Sequence, residues 1–168
     1  MNSSYGSQRG LGLMEVLVAL LLLAVGILGF VALQYRSIEA TTEAVYRVQA
    51  MNLARDLSER VRVNRDQADT YQTETSDAAK QKVSAKNCYT QNCSKVELAD
   101  FDVEQVYKKA SSVGMSINMR TCEGNSDARN CIYVAWGETA ATDGNGQGNC
   151  TTGTSYVAAS TCIVMESY

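Results

Sequence analysis

Leu11–Leu33 reads LGLMEVLVALLLLAVGILGFVAL, an unbroken apolar run whose one ionisable side chain is Glu15. As a helix rising ~1.5 Å per residue it is roughly 35 Å long, enough to cross a hydrocarbon core of ~30 Å. A cleaved secretory signal has a shorter apolar region of ~7–15 residues and ends at a small-residue cleavage site. This stretch is longer and passes directly into a polar helical pattern, so it reads as a retained membrane-spanning helix. A carboxylate at the centre of a bilayer costs ~2.5–3.5 kcal/mol, and less near the start of a span, where Glu15 lies. Two readings of Glu15 stay open: it reaches the interface and does nothing further, or it meets a cation inside an assembly. Gly26 and Gly29 also sit in the run, each costing ~1 kcal/mol relative to Ala. They mark either close helix packing or a point where the helix can bend.

Outward from this run, 1–10 is short and polar and reads as a leader rather than as structure. On the other side, 34–66 continues the helix. Ile38, Thr42, Val45, Tyr46, Gln49, Ala50, Leu53, Leu57 and Val61 recur at spacings of three and four, one amphipathic stripe. Arg47, Arg55, Glu59 and Arg62 on the other side read as a solvated face or as ion pairs between subunits. The helix is thus apolar all round in 11–33 and one-sided in 34–66, as suits a chain with half its helix in lipid or among like helices and half packed on a head.

The head is expected over 67–168. Gln67–Asn87 is polar and reads as an irregular connector. Ser94-Lys95-Val96-Glu97 has capping-box spacing, and Ala99, Val103, Val106, Tyr107, Ala110 and Val113 follow as the stripe of a short second helix. Met115–Arg120 alternates as a half-buried strand, Cys131–Trp136 is a strand apolar on both faces, and Cys162–Met165 is a last strand. Gly137–Gly153 is glycine-rich without an apolar run and reads as a loop. The expected fold class is α+β: a long N-terminal helix packed on a small antiparallel sheet stapled by disulfides.

Six cysteines without histidine, and without C-x2-C spacing, speak against a zinc site and for three disulfides in an oxidising compartment, which places the head outside the cytoplasm. Of the 15 connectivities open to six cysteines, locality favours Cys88–Cys93, Cys122–Cys131 and Cys150–Cys162. The last staples the glycine-rich loop to the final strand and contributes ~3 kcal/mol in the chain-entropy model. The net charge of −3 gives no pull toward nucleic acid. Trp136, its neighbouring tyrosines and the glycine-rich loop are candidates for binding DNA or a surface ligand, weighed against ordinary core and loop. No histidine, nucleophile elbow, Walker motif or metal spacing points to an enzyme, so no catalytic residue, metal or cofactor is assigned.

Arg9-Gly10 followed by Leu11-Gly12-Leu13-Met14-Glu15-Val16 resembles the processing signal of the type IV pilin superfamily, with Leu11 standing where Phe is usual. The resemblance implies cleavage between Gly10 and Leu11 by the prepilin peptidase, N-methylation of Leu11, and a subunit-assembly role for Glu15 toward the N-terminal amine of a neighbouring copy. A carboxylate and an amine attract strongly in such low-dielectric surroundings. Leu53–Arg65, Cys93-Ser94, Leu98–Val103 and the strand ending in Trp136 are similar to the PilV-like minor pilins. That resemblance implies a minor pilin of the type IV pilus tip and initiation complex, priming assembly and supporting adhesion and twitching. Its implied partners are other minor pilins, the major pilin, the inner-membrane assembly platform and a tip adhesin. The chain would wait in the inner membrane with its head in the periplasm, then move to the pilus. The alternative is a minor pseudopilin of a type II secretion system. Gly10→Ala is expected to block processing, leaving the leader attached when the intact chain is weighed by mass spectrometry.

Overall fold

The computed structural model describes residues 12–167. They fall into two compact units, one up to Glu43 and one from Ala44. Helix α1, Leu13–Val63, contributes to both.

In the first unit α1 is exposed throughout its apolar run. The second unit is built on the lower part of the same helix, where Ala50, Leu53, Ala54, Leu57 and Val61 are buried. Their spacing of three and four puts them on one face. Within the stripe read from the sequence, Ile38, Thr42 and Val45 are exposed. Cover begins at Tyr46, whose ring stacks on Trp136 with centroids 6.3 Å apart. An apolar spacing shows which face can be buried, not how far up the helix a partner reaches.

Residues 67–87 are not an irregular connector. A 3-10 turn at Arg65–Gln67 leads into helix α2, Ala68–Ser76, and a second 3-10 turn follows at Lys80–Lys82. Helix α2 has only Tyr71 and Thr75 buried, one turn apart, so its apolar pattern is too thin to read. Helix α3, Lys95–Ser112, starts at the Ser94/Glu97 capping box, with both reciprocal hydrogen bonds formed.

The main sheet has the order β1-β2-β6, with β1 Met115–Thr121, β2 Asn130–Trp136 and β6 Cys162–Ser167, all antiparallel. Met115, Ile117 and Met119 of β1 and Ile132, Val134 and Trp136 of β2 join the buried faces of α1 and α3 in one core. The other face of β2 carries Cys131, Tyr133 and Ala135, which pack with Ala141 and Cys150 in a second cluster. That cover comes from Gly137–Gly153, which is not a plain loop. It contains β3, Ala140–Asp143, and β4, Asn149–Thr152, which join β5, Ser155–Tyr156, in a second sheet. The β3–β4 pairing is parallel and irregular, so the sheets are not purely antiparallel. Gly146 and Gly148, at φ of 129° and 92°, let the short connection loop back so that β4 runs beside β3 in the same direction.

The outer edge of β1 is closed by side chains. Thr75 Oγ1 accepts the Met119 N–H at 3.1 Å, and Gln81 Nε2 donates to Ile117 O at 3.2 Å. These two groups lie on the side of the strand where another strand would pair, and α2 with its following turn takes its place. Thr75→Val keeps the shape but leaves the Met119 N–H buried without an acceptor. The expected loss is about 1–3 kcal/mol of stability, read as a lower urea midpoint together with faster exchange of the Met119 amide.

Candidate assembly surface

The apolar side chains of the first unit are exposed among the described residues. Leu13, Leu28 and Leu33 are 81%, 69% and 72% exposed, and the intervening residues are exposed as well. Each such side chain gains about 1.5–3 kcal/mol on full burial. An apolar face this long is not left in water, so it needs lipid or other chains. By length and composition α1 can cross a membrane, and none of its most apolar window is buried.

Glu15 stands in the first turn of α1. Its N–H bonds Gly12 O at 2.9 Å, and a carboxylate there is favoured by the positive end of the helix dipole. Gly10 and Leu11, the expected cleavage and methylation positions, lie outside the described residues. A Cβ at Gly26 or Gly29 would have no atom within 4 Å, so packing within this chain does not demand either glycine.

In the second unit, a charged network adds to the apolar core that the three helices share. Asp102 of α3 is 7% exposed. Its Oδ1 accepts from Arg60 Nη1 of α1 at 2.5 Å, and its Oδ2 accepts from the Tyr71 hydroxyl of α2 at 2.7 Å. Arg60 Nε also donates to Asp56 Oδ1 at 2.8 Å, and Lys109 Nζ donates to Asp56 Oδ2 at 2.6 Å. Nearby, Asn64 Nδ2 donates to Lys95 O at 2.8 Å. Burial, reinforced by the Asp102 carboxylate, pushes the Tyr71 phenol up, so it remains a donor. Burial raises the Asp56 carboxyl, but hydrogen bonds from Lys109 and Arg60 outweigh it and hold the group below its ordinary value. Sequence reading assigned the charged side of α1 to solvent or to other subunits and missed this network. Arg60 and Asp102 are 42 residues apart, and nothing local marks them as partners.

The structure contains the disulfides Cys88–Cys93, Cys122–Cys131 and Cys150–Cys162. The first closes the turn before α3, the second joins the ends of β1 and β2, and the third ties β4 to β6. Trp136 and Tyr133 are buried at 5% and 2% exposure, so they are core side chains and form no stacking platform for nucleic acid. Much of the glycine-rich segment is held by its own side chains: Thr142 to Asn149, Thr151 to Asp143 and Thr152 to Asn145.

A depressed carboxyl stabilises the fold above its unfolded value and loses that contribution as pH falls through the folded value. Stability is therefore expected to drop on acidification below the ordinary aspartate range. Asp56→Asn should lower the urea midpoint at pH 7 and flatten its decline toward pH 3.

No curated protein and no solved structure matches the chain. Residues 32–104 match the Tt1218-like family, described as type IV pilin Tt1218. The match runs from the apolar part of α1 through its buried stripe and α2 into α3, so it includes Asp56, Arg60, Tyr71 and Asp102 and stops before the sheets. Over these residues the chain is similar to a type IV pilin, and with its bare apolar helix, α+β head and three disulfides the match supports the type IV pilin superfamily.

Proposed function

We propose that the chain is a minor pilin, a PilV-like subunit of the tip and initiation complex of a type IV pilus. The observation that carries this reading is the uncovered apolar half of α1 with its single carboxylate, on a chain matching a type IV pilin over 32–104. In this reading the prepilin peptidase cuts between Gly10 and Leu11, and the new N-terminus is methylated. The helix first lies in the inner membrane and then exchanges lipid for the helices of other pilins. Burying such a helix among its like keeps its apolar side chains out of water at every stage.

Glu15 gives that exchange its register. A carboxylate among apolar helices is costly unless a cation meets it, and the α-amine of a neighbouring subunit is the cation the resemblance supplies. The pair acts as a selector of axial position, since a mis-set subunit leaves two charges unmatched. The head stays in the periplasm, where its disulfides persist, and meets other minor pilins, the major pilin, the assembly platform and a tip adhesin.

Glu15→Ala should leave the chain processed and folded in the inner membrane while its recovery in sheared pili falls by about tenfold or more, read by immunoblot of the two fractions. Equal recovery would overturn the role of Glu15. A deletion strain that still twitches but fails to export type II substrates would replace the pilus with a secretion pseudopilus.

A further inference from the structure

A second polar constellation lies away from the apolar helix, wholly within the unit from Ala44 onward. Helix α2 and strand β1 flank a groove of about 430 Å³ lined by Gln72, Thr73, Ser76, Asn118, Met119 and Arg120. This is within the range of ~300–1,000 Å³ usual for small-molecule sites. Asn118 and Arg120 are two apart on β1, so they stand on the same face, opposite to that of Met119.

Both are under-used by the protein. The Arg120 guanidinium lies over the Tyr133 ring, 5.9 Å from its centroid, and Nη1 reaches Asp143 O at 3.5 Å. Among the described residues no carboxylate pairs with it, so most of its five N–H donors remain unspent. Asn118 Nδ2 donates to Ala141 O at 3.2 Å. Its Oδ1 is buried and accepts no hydrogen bond from the described residues. An unmet buried acceptor of this kind is unfavourable and asks for a donor.

The α2 wall adds acceptors. The Thr73 hydroxyl donates to Asp69 O at 2.8 Å and the Ser76 hydroxyl to Thr73 O at 2.9 Å, which leaves their oxygen lone pairs for a ligand. The groove therefore sets several oxygen acceptors beside one fixed cationic donor. A phosphate or simple carboxylate would satisfy the guanidinium and leave the acceptors unmet. An apolar peptide would satisfy neither. A ring bearing several O–H donors and oxygen acceptors satisfies both. We propose that the groove between α2 and β1 is a saccharide-binding site, in which Arg120 holds a sugar oxygen or carboxylate, Thr73 and Ser76 accept from hydroxyls, and Asn118 takes a hydroxyl once its amide turns toward the groove. This site is independent of the assembly role of α1.

The test is saturation-transfer NMR on the full chain in a sugar-free zwitterionic detergent. The probes are methyl galactoside, N-acetylglucosamine, glucuronate and N-acetylneuraminate at about 10 mM, an affinity range suited to single sugars, with acetate as the simple anion. The expected result is transfer to at least one sugar and none to acetate. Ser76→Arg fills the groove from the exposed face of α2, and Arg120→Gln removes the cation. Each should weaken that sugar by about tenfold, with unchanged circular dichroism for Ser76→Arg. Transfer to no sugar, equal transfer to acetate, or a sugar that binds both variants as it binds the wild type would overturn the proposal. Preference for the two acidic sugars over the neutral ones would assign a carboxylate to Arg120, and equal binding would assign a neutral oxygen.

Discussion

Strand β2 carries apolar side chains on both faces, and neither face can be left in water. Ile132, Val134 and Trp136 need a cover on one side, and Cys131, Tyr133 and Ala135 need one on the other. The first cover is the buried stripe of α1 together with α3. The second is the small sheet β3-β4-β5, of which Ala141, Cys150 and Thr151 are buried. Ala141 and Cys150 meet Tyr133, and the Cys150–Cys162 bond holds this thin layer to the main sheet. The head is thus three layers deep because its central strand has two apolar sides.

Between the helices a charged network adds to the shared apolar core. A carboxylate as buried as Asp102 is tolerated only with partners, and it finds one on each of the other two helices. Such a network contributes little net energy when intact but is costly to break, so it selects one arrangement of α1, α2 and α3 over near alternatives. Helix α2 carries a second duty. Through Thr75 it meets a backbone group on the β1 edge, and the turn that follows it adds Gln81. Left bare, that edge would be a template for pairing with another chain.

The upper part of α1 obeys the opposite rule. Its apolar side chains have no cover among the described residues, so this surface calls for lipid or other chains around it. One sequence thus contains two kinds of apolar surface. One is satisfied internally by a folded head. The other stands exposed among the described residues, with Glu15 as the one carboxylate in its first turn.

Much of this could be read in the residues. The apolar run, the continuation of α1, the capping box at Ser94, the alternation of β1 and the two apolar faces of β2 are all local patterns, because an element's period is written in its own residues. The cover on the second face of β2 was not read, because no apolar run marks Ala140–Asp143 or Asn149–Thr152 as strands. Helix α2 was hidden because it buries just Tyr71 and Thr75. The partnership of Asp102 with Arg60 and Tyr71, and the gathering of Gln72, Thr73, Ser76, Asn118 and Arg120 around one groove, were decided by tertiary structure alone. A hydrogen bond between distant side chains depends on where whole elements pack, and neither partner carries a local mark of the other.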